Sequence, residues 1–256
     1  MISPGIIGNG RMAKAITDKM LENGIAPRFI AARNWSKSNW DALPMSIPKY
    51  IIGEVALPPC EVLFFCVNDK AISVLSRFIS GTMLNIHFAG SMPLSALDAP
   101  VGRGVIWPIQ SINDHIDLNW DKIPVIWDAD TDFAQAYVKE FAQFLNSFKS
   151  TQMDFQTREK LHLSAVFTSN FINALFMASE DILSNTEMVK YLLPLIEHSV
   201  ERYQGANAVK WQTGPAARND EQVIQKQLQL LKDNPELAEI YKSMTHYIRQ
   251  KMGFGD

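Results

Sequence analysis

The most constraining feature of the chain is its opening. An apolar run, Ile2 to Ile7, passes straight into Gly8-Asn9-Gly10-Arg11-Met12-Ala13, and a helical pattern follows with Ala13, Ile16 and Met20 on one face and Gly24 at its end. A Gly-x-Gly-x-x-Ala turn between a first strand and a first helix predicts a dinucleotide-binding βαβ unit. Gly8 allows the tight turn, Gly10 lets a pyrophosphate approach the backbone, and Ala13 keeps helix and strand close. The N-terminus of the helix then faces the phosphates, where its free N–H groups favour negative charge. Pro4 is at odds with a strand interior, because proline removes a ladder donor.

About 20 residues beyond such a turn, NAD enzymes place a carboxylate on the ribose hydroxyls. This chain has Ala31-Ala32-Arg33-Asn34, followed by Ser36 and Lys37. With an arginine in place of the carboxylate, the site suits a 2′-phosphate, which guanidinium binds bidentately. The expected cofactor is therefore NADP(H), held by Gly8, Asn9, Gly10, Arg11, Met12, Ala13, Arg33 and Asn34.

From Met1 to Met153 short β-prone runs alternate with amphipathic stretches: Ile2–Ile7, Arg28–Ala32, Tyr50–Ile52, Val62–Val67, Met83–Phe88, Val105–Trp107, Pro124–Trp127 and Phe148–Met153. This predicts an α/β Rossmann domain with a mostly parallel, doubly wound sheet. Val62 to Val67 is apolar throughout, as a central strand covered on both faces should be. Thr131 to Asn146 sets Phe133, Ala134, Tyr137, Phe141, Phe144 and Leu145 on one helical face. Beyond Met153 the pattern is helical to Phe254, so residues 1–153 read as an NADP-binding domain and 154–256 as an all-α domain. One helix is expected from Thr157 to Asn185, and Pro194 and Gly205 bracket part of the next. Asn219 is expected to cap a third, with Gln222 three residues on, and Asn234-Pro235 opens a fourth. Its apolar stripe, Leu237, Ile240, Tyr241, Met244, Tyr247 and Ile248, reads as core.

The 256 residues, 47% of them hydrophobic, are enough for two modest cores. With 24 basic and 27 acidic residues and no long run of either sign, nucleic acid and anionic lipid are poor partners, and a small molecule is the better one. Cys60 and Cys66 are too few for a disulfide framework, and no basic-then-apolar leader precedes the glycine motif, which points to the cytoplasm. No apolar run approaches the ~18 residues of a membrane span. The histidines and cysteines show no metal spacing.

The opening Gly5 to Ile16 resembles that of the pyrroline-5-carboxylate reductases and of deazaflavin-dependent NADP reductases. Five further segments are similar to a family of candidate NADP oxidoreductases with a Rossmann-like domain and a helical domain of unassigned function. These are Cys66-Val67-Asn68-Asp69-Lys70-Ala71-Ile72, Ile86 to Leu94, Trp107-Pro108-Ile109-Gln110-Ser111, Leu161 to Asn173 and Gln212 to Asp220. The resemblance implies a fold like that of the 6-phosphogluconate dehydrogenase superfamily, in which the helical domain completes the active site and pairs two subunits into a homodimer. It names no substrate. The loop Gln212-Thr213-Gly214-Pro215 departs from the glycine- and threonine-rich stretch of pyrroline-5-carboxylate reductases, which leaves that activity as runner-up. Related β-hydroxyacid dehydrogenases use a lysine one turn before an asparagine, but Val166 stands one turn before Asn170, so the lysine mechanism does not carry over.

Around the cofactor, Val67, Asn68 and Asp69 follow the fourth strand, where the chain normally crosses the cofactor ribose. His87 and Gly90 end the fifth, and His87 either lines the cleft or is a satisfied core histidine. Cys66 reads as a small core hydrophobe. Trp107 and Gln110 form either a wall of a substrate pocket or an ordinary strand-exit turn. Gln212 and Arg218 sit in a polar loop suited to a lid or an anion site. On an ideal helix His162, Asn170 and Asn173 lie within about 80° of one another. That polar stripe either faces the nicotinamide and binds or protonates substrate, or makes hydrogen bonds across a dimer interface. Two functions follow: a reductase moving hydride between NADP(H) and a small carbonyl, imine or other acceptor, or a non-catalytic NADP-binding sensor or partner protein.

Overall fold

A computed structural model of the chain describes residues 1–35, 40, 46–79, 81, 83–113, 118–183, 186–203, 205 and 207–255. Ser36, Lys37 and Asn185 lie outside them. Eight strands form one sheet: β1 Gly5–Ile7, β2 Phe29–Ala32, β3 Lys49–Ile51, β4 Val62–Phe65, β5 Leu84–His87, β6 Gly102–Pro108, β7 Val125–Ala129 and β8 Ser150–Gln152. Their spatial order is β3-β2-β1-β4-β5-β6-β7-β8. Every pair is parallel except β6 with β7. A parallel return needs a crossover, usually helical, and the described part of the β6–β7 connection holds only the short 3-10 turn Trp120–Lys122, so β7 runs back beside β6. The strand order reverses at β1, flanked by β2 and β4, and at such a switch point the carboxyl ends of the strands open a crevice.

Pro4 falls just outside β1, and its carbonyl accepts from Arg28 N–H at 2.9 Å, so the proline costs the ladder nothing. All four residues of β4 are buried. The Phe64 ring meets Phe88, Tyr137 and Phe141 edge-on, with centroids 5.2, 6.4 and 4.8 Å away. Burying one such ring stabilises the fold by roughly 1.5–3 kcal/mol. Helices α1 Arg11–Glu22 and α3 Asp132–Leu145 share one core cluster with it, and Ile72 of α2 Asp69–Phe78 belongs to another. Thr131 caps α3 by accepting from Ala134 N–H. Buried Asn146 ends it, donating to the Trp120 and Ile123 carbonyls at 2.9 Å each.

The chain divides into two compact units, Met1–Thr168 and Ser169–Asp256. The break falls within the helix expected from Thr157, which begins at α4 Phe155–Ala165, and not at residue 153. α4 packs with the sheet unit because its Arg158 is buried there. Residues Val166–Asn170 are π-helical and lead into α5 Phe171–Leu183. The stretch Phe155–Leu183 is by length and composition able to cross a membrane, and its most apolar part is not buried. This departs from the expectation that no apolar run reaches that length, since polar residues such as Ser164, Thr168, Ser169, Asn170 and Asn173 break up the run in the sequence.

The second unit continues with α6 Thr186–Val189, α7 Leu193–Arg202, α8 Glu221–Leu230 and α9 Pro235–Lys251. Asn234 caps α9 as expected. Asn219 does not cap α8. It takes the left-handed conformation at φ 55°, and Asp220 accepts from Val223 N–H in its place. Few side chains are buried in this unit, among them Ala216, Ile224 and Leu231, while Phe171, Ile172, Leu175, Phe176 and Met177 of α5 are exposed.

Candidate functional site

The crevice at the β1–β4 switch point is a cleft of about 790 Å³. Its floor is the turn between β1 and α1. Gly8 holds φ +117°, and a Cβ there would fall 2.3 Å from the Cys66 carbonyl oxygen, so no other residue fits. Gly10 precedes α1 with no side chain capping the helix, and a Cβ built on it meets nothing within 4 Å. An unblocked helix N-terminus facing open space is the cradle a phosphate needs. The residues present thus fit a dinucleotide.

Gly8, Asn9, Gly10, Arg11 and Met12 line one side of this cleft, exposed Arg33 and Asn34 a second, and Val67, Asn68 and Asp69 a third. Gln110, expected in a substrate pocket, lines it too. Asn68 is at once cleft wall and N-cap of α2, accepting from Ala71 N–H at 3.0 Å. Asp69 accepts from the Ser91 hydroxyl at 2.5 Å, which ties the loop after β4 to the loop after β5. The Asn9 side chain does not point to a ligand: its Nδ2 donates to the Asn34 carbonyl at 2.7 Å. Nothing in the sequence marks the apolar part of the lining, Ile52, Val74, Leu75, Phe88, Ala89 and Ile112. A strand-exit residue such as Phe88 or a mid-helix residue of α2 such as Val74 is legible as apolar but not as cleft-facing.

Three expected cofactor residues lie elsewhere. Ala13 is buried behind the turn, in the packing role expected of it. His87 and Gly90 are also buried and are not among the cleft-lining residues, and the Trp107 indole covers Gly90 so closely that an added Cβ would come within 2.5 Å. His87 is buried as a core histidine would be, but it is not the satisfied one expected. Its Nδ1 accepts from Ala89 N–H at 3.2 Å, which puts the proton on Nε2, a buried atom without a hydrogen-bond partner. Burial, then the Arg158 guanidinium, hold the imidazole down at about 4, against the opposite pulls of the Pro93 backbone and the Asp69 carboxylate.

That depression makes a stability prediction. An unfolded histidine titrates near 6.5, so the buried neutral form stabilises the fold fully above that pH, and the contribution is lost as pH falls toward 4. The loss amounts to roughly 3 kcal/mol at 1.36 kcal/mol per pH unit. Urea denaturation at pH 7 and pH 4.5 should show a smaller pH dependence for His87→Asn than for the wild type, and equal losses would show that His87 titrates normally.

Arg158, which braces a loop beside the cleft without lining it, was not legible in the sequence. Its side chain is fully buried and donates to three backbone carbonyls: Gly90 at 3.2 Å, Met92 at 2.9 Å and Met153 at 3.4 Å. It thereby fixes the loop that follows β5. Trp107 is buried against Gly90, and its ring lies 5.5 Å from that of His162. His162 therefore stands near the loop that also supplies Ala89 to the cleft.

Asn170, Asn173, Gln212 and Arg218 belong to the second unit, and all four are exposed. Asn173 Nδ2 lies 3.9 Å from Met177 Sδ, and Gln212 Nε2 donates to the Thr213 carbonyl. The π-helical residues Val166–Asn170 bond i to i+5, so the even ~100° steps from which the polar stripe was drawn do not hold through them.

Comparison with known proteins bears on the fold. A Bacteroides fragilis protein named "putative NADP oxidoreductase" superposes with a TM-score of 0.85 at 25% identity, over 97% of this chain and 98% of that one. An Aspergillus terreus reductive aminase, solved with NADPH and ethyl-5-oxohexanoate, gives 0.71 at 16% identity, over 100% of this chain and 96% of that one. A Myxococcus stipitatus imine reductase, solved with NADP+, gives 0.64 at 15%, over 99% and 95%. Functionally curated proteins return no match. The fold is thus the one shared by NADP oxidoreductases that join a Rossmann-like sheet to a helical region. Within it, residues 123–248 match the family described as "Domain of unknown function (DUF2520)".

Proposed function

We propose that this chain is an NADP(H)-dependent oxidoreductase acting on a small C=O or C=N acceptor. The observation that carries the reading is the cleft itself: an uncapped helix N-terminus behind Gly8 and Gly10, with Arg33 where NAD enzymes carry a carboxylate. The reductive aminase and imine reductase neighbours support C=N compounds as a class to try first. Pyrroline-5-carboxylate, itself an imine, falls within that class.

NADPH supplies a hydride when bound. The turn Gly8–Met12 would hold its pyrophosphate, and Arg33 with Asn34 would hold the 2′-phosphate. Ile52, Val74 and Leu75 supply an apolar slot for an adenine ring, and Phe88, Ala89, Ile112 and Gln110 line the end next to the loop braced by Arg158. His162 is proposed to provide the acceptor's proton, with Trp107 beside it as apolar wall; for Asn170, Asn173, Gln212 and Arg218, all in the second unit, a role toward substrate rests on the sequence alone. A second copy of the chain is the proposed cover for the apolar side chains of α5, which a monomer leaves in water. With that cover the chain would be a water-soluble homodimer, and the cytoplasm remains the compartment expected from the sequence.

The test is a calorimetric titration with NADPH and NADH, followed by NADPH oxidation against imines and ketones. The wild type should prefer NADPH, and Arg33→Ala should erase the preference, losing roughly 10- to 150-fold in NADPH affinity, the worth of a hydrogen bond to a charged group. No preference in the wild type, or an unchanged one in the variant, would remove the 2′-phosphate assignment.

A further inference from the structure

The turn proposed to carry the pyrophosphate is held from behind by a residue outside the glycine motif. We propose that Trp40 is a positioning residue for that turn, its indole fixing the Asn9–Gly10 peptide so that the Gly10 N–H faces the cleft. This inference rests on the dinucleotide reading above.

Trp40 is 2% exposed, and its Nε1 donates to the Asn9 carbonyl at 2.7 Å. The Asn9–Gly10 peptide is trans and planar, so the carbonyl and the following N–H point in opposite directions. Binding the carbonyl on the protein side therefore turns the Gly10 N–H to the other side, where Gly10 lines the cleft and nothing lies within 4 Å of the position a Cβ would take. Trp40 is itself supported. Trp35 meets it edge-on at 6.2 Å and 88°, and the Trp35 indole donates to the Tyr50 carbonyl of β3 at 3.2 Å. Gly8 N–H donates to Ala31 of β2 at 2.7 Å, and the Asn9 side chain donates to Asn34. The turn is thus anchored at three consecutive points to β2 and the segment after it, and Trp40 holds the anchor nearest the helix N-terminus.

The pyrophosphate is common to NADPH and NADH, whereas the 2′-phosphate that Arg33 would bind is not. Trp40 should therefore affect both cofactors alike. The experiment is calorimetric titration of wild type, Trp40→Phe and Arg33→Ala with NADPH and NADH, with melting temperatures of the free proteins. Phenylalanine keeps a ring in the site and removes the N–H. The expected result for Trp40→Phe is an equal loss of about three- to tenfold for both cofactors, the worth of one hydrogen bond, with the NADPH/NADH ratio unchanged. Its melting temperature should fall by no more than about 2–4 °C. A loss confined to NADPH overturns the proposal, since Trp40 would then act on the Arg33 side. Unchanged affinities overturn it as well, as does a collapse of both together with a melting temperature lowered by more than ~10 °C, which would make Trp40 a general core residue. A wild type that binds neither cofactor removes the dinucleotide reading itself, and the brace with it.

Discussion

Arg158→Met should lower the unfolding free energy by about 3 kcal/mol, because three carbonyls lose their donor at roughly 1–3 kcal/mol each while the cost of burying the cation is relieved. The guanidinium is fully buried and makes three hydrogen bonds to carbonyls, while its ionic partner Asp128 lies 3.8 Å away and is part-exposed. Burial lowers the titration of Arg158 and raises that of Asp128, in both cases as the largest cause. Desolvation therefore outweighs the mutual attraction, and the carbonyls of Gly90, Met92 and Met153 are what hold the cation in place. Methionine keeps the apolar stem and leaves those carbonyls without their donor. Arg158→Lys should recover only part of the loss, because an ammonium cannot reproduce the planar fork. Chemical denaturation measures both variants, and a loss below ~1 kcal/mol for Arg158→Met would show that water replaces the guanidinium at no cost. Because the loop after β5 carries Ala89 into the cleft, NADPH affinity should fall along with stability.

The residues that were legible in the sequence are those whose role is set by neighbours in the chain. All eight expected strands form, β4 is buried on both faces, Thr131 and Asn234 cap their helices, and Gly8 to Met12, Arg33, Asn34 and Val67 to Asp69 come together at one cleft. Strand ends were less accurate: the pattern runs to Val67 while β4 stops at Phe65, because the last two residues already turn toward α2. Arg158 was not legible because its partners Gly90 and Met92 are 68 and 66 positions away, and an arginine at a helical surface spacing looks solvated. Asn219 and Asp220 are adjacent residues with similar capping chemistry, and only the left-handed φ at Asn219 decides between them. The π-helical residues Val166–Asn170 carry no compositional mark, so the helix appeared regular. His87 was undecided because strand alternation does not say which face of β5 opens to the cleft.

His162→Ala should reduce turnover by about 10²-fold or more, the contribution of a positioned general acid, while leaving NADPH affinity in place. Hydride delivery to a carbonyl or imine carbon leaves an electron pair on oxygen or nitrogen that must take a proton, and histidine is the side chain that ordinarily exchanges protons near neutral pH. His162 is part-exposed, with its ring 5.5 Å from that of Trp107, which in turn covers Gly90. The loop from Gly90 to Met92 is tied down by Arg158, and the preceding Ala89 lines the cleft. An imidazole beside that loop is within the same unit as the cofactor residues, which Asn170 and Asn173 are not. His162 is thus expected to carry the larger share of the proton transfer, and the asparagines to orient substrate. The measurements are kcat with an imine accepted by the wild type, its pH profile, NADPH affinity and the mass in solution, for His162→Ala, His162→Gln and Asn170→Ala. His162→Ala should lose one limb of the pH profile, which a structural defect would not remove selectively. Turnover within about threefold of the wild type would end the catalytic assignment. A drop in mass to that of one chain would show that His162 or Asn170 serves the proposed dimer interface, and a wild type that is already monomeric would remove the dimer itself.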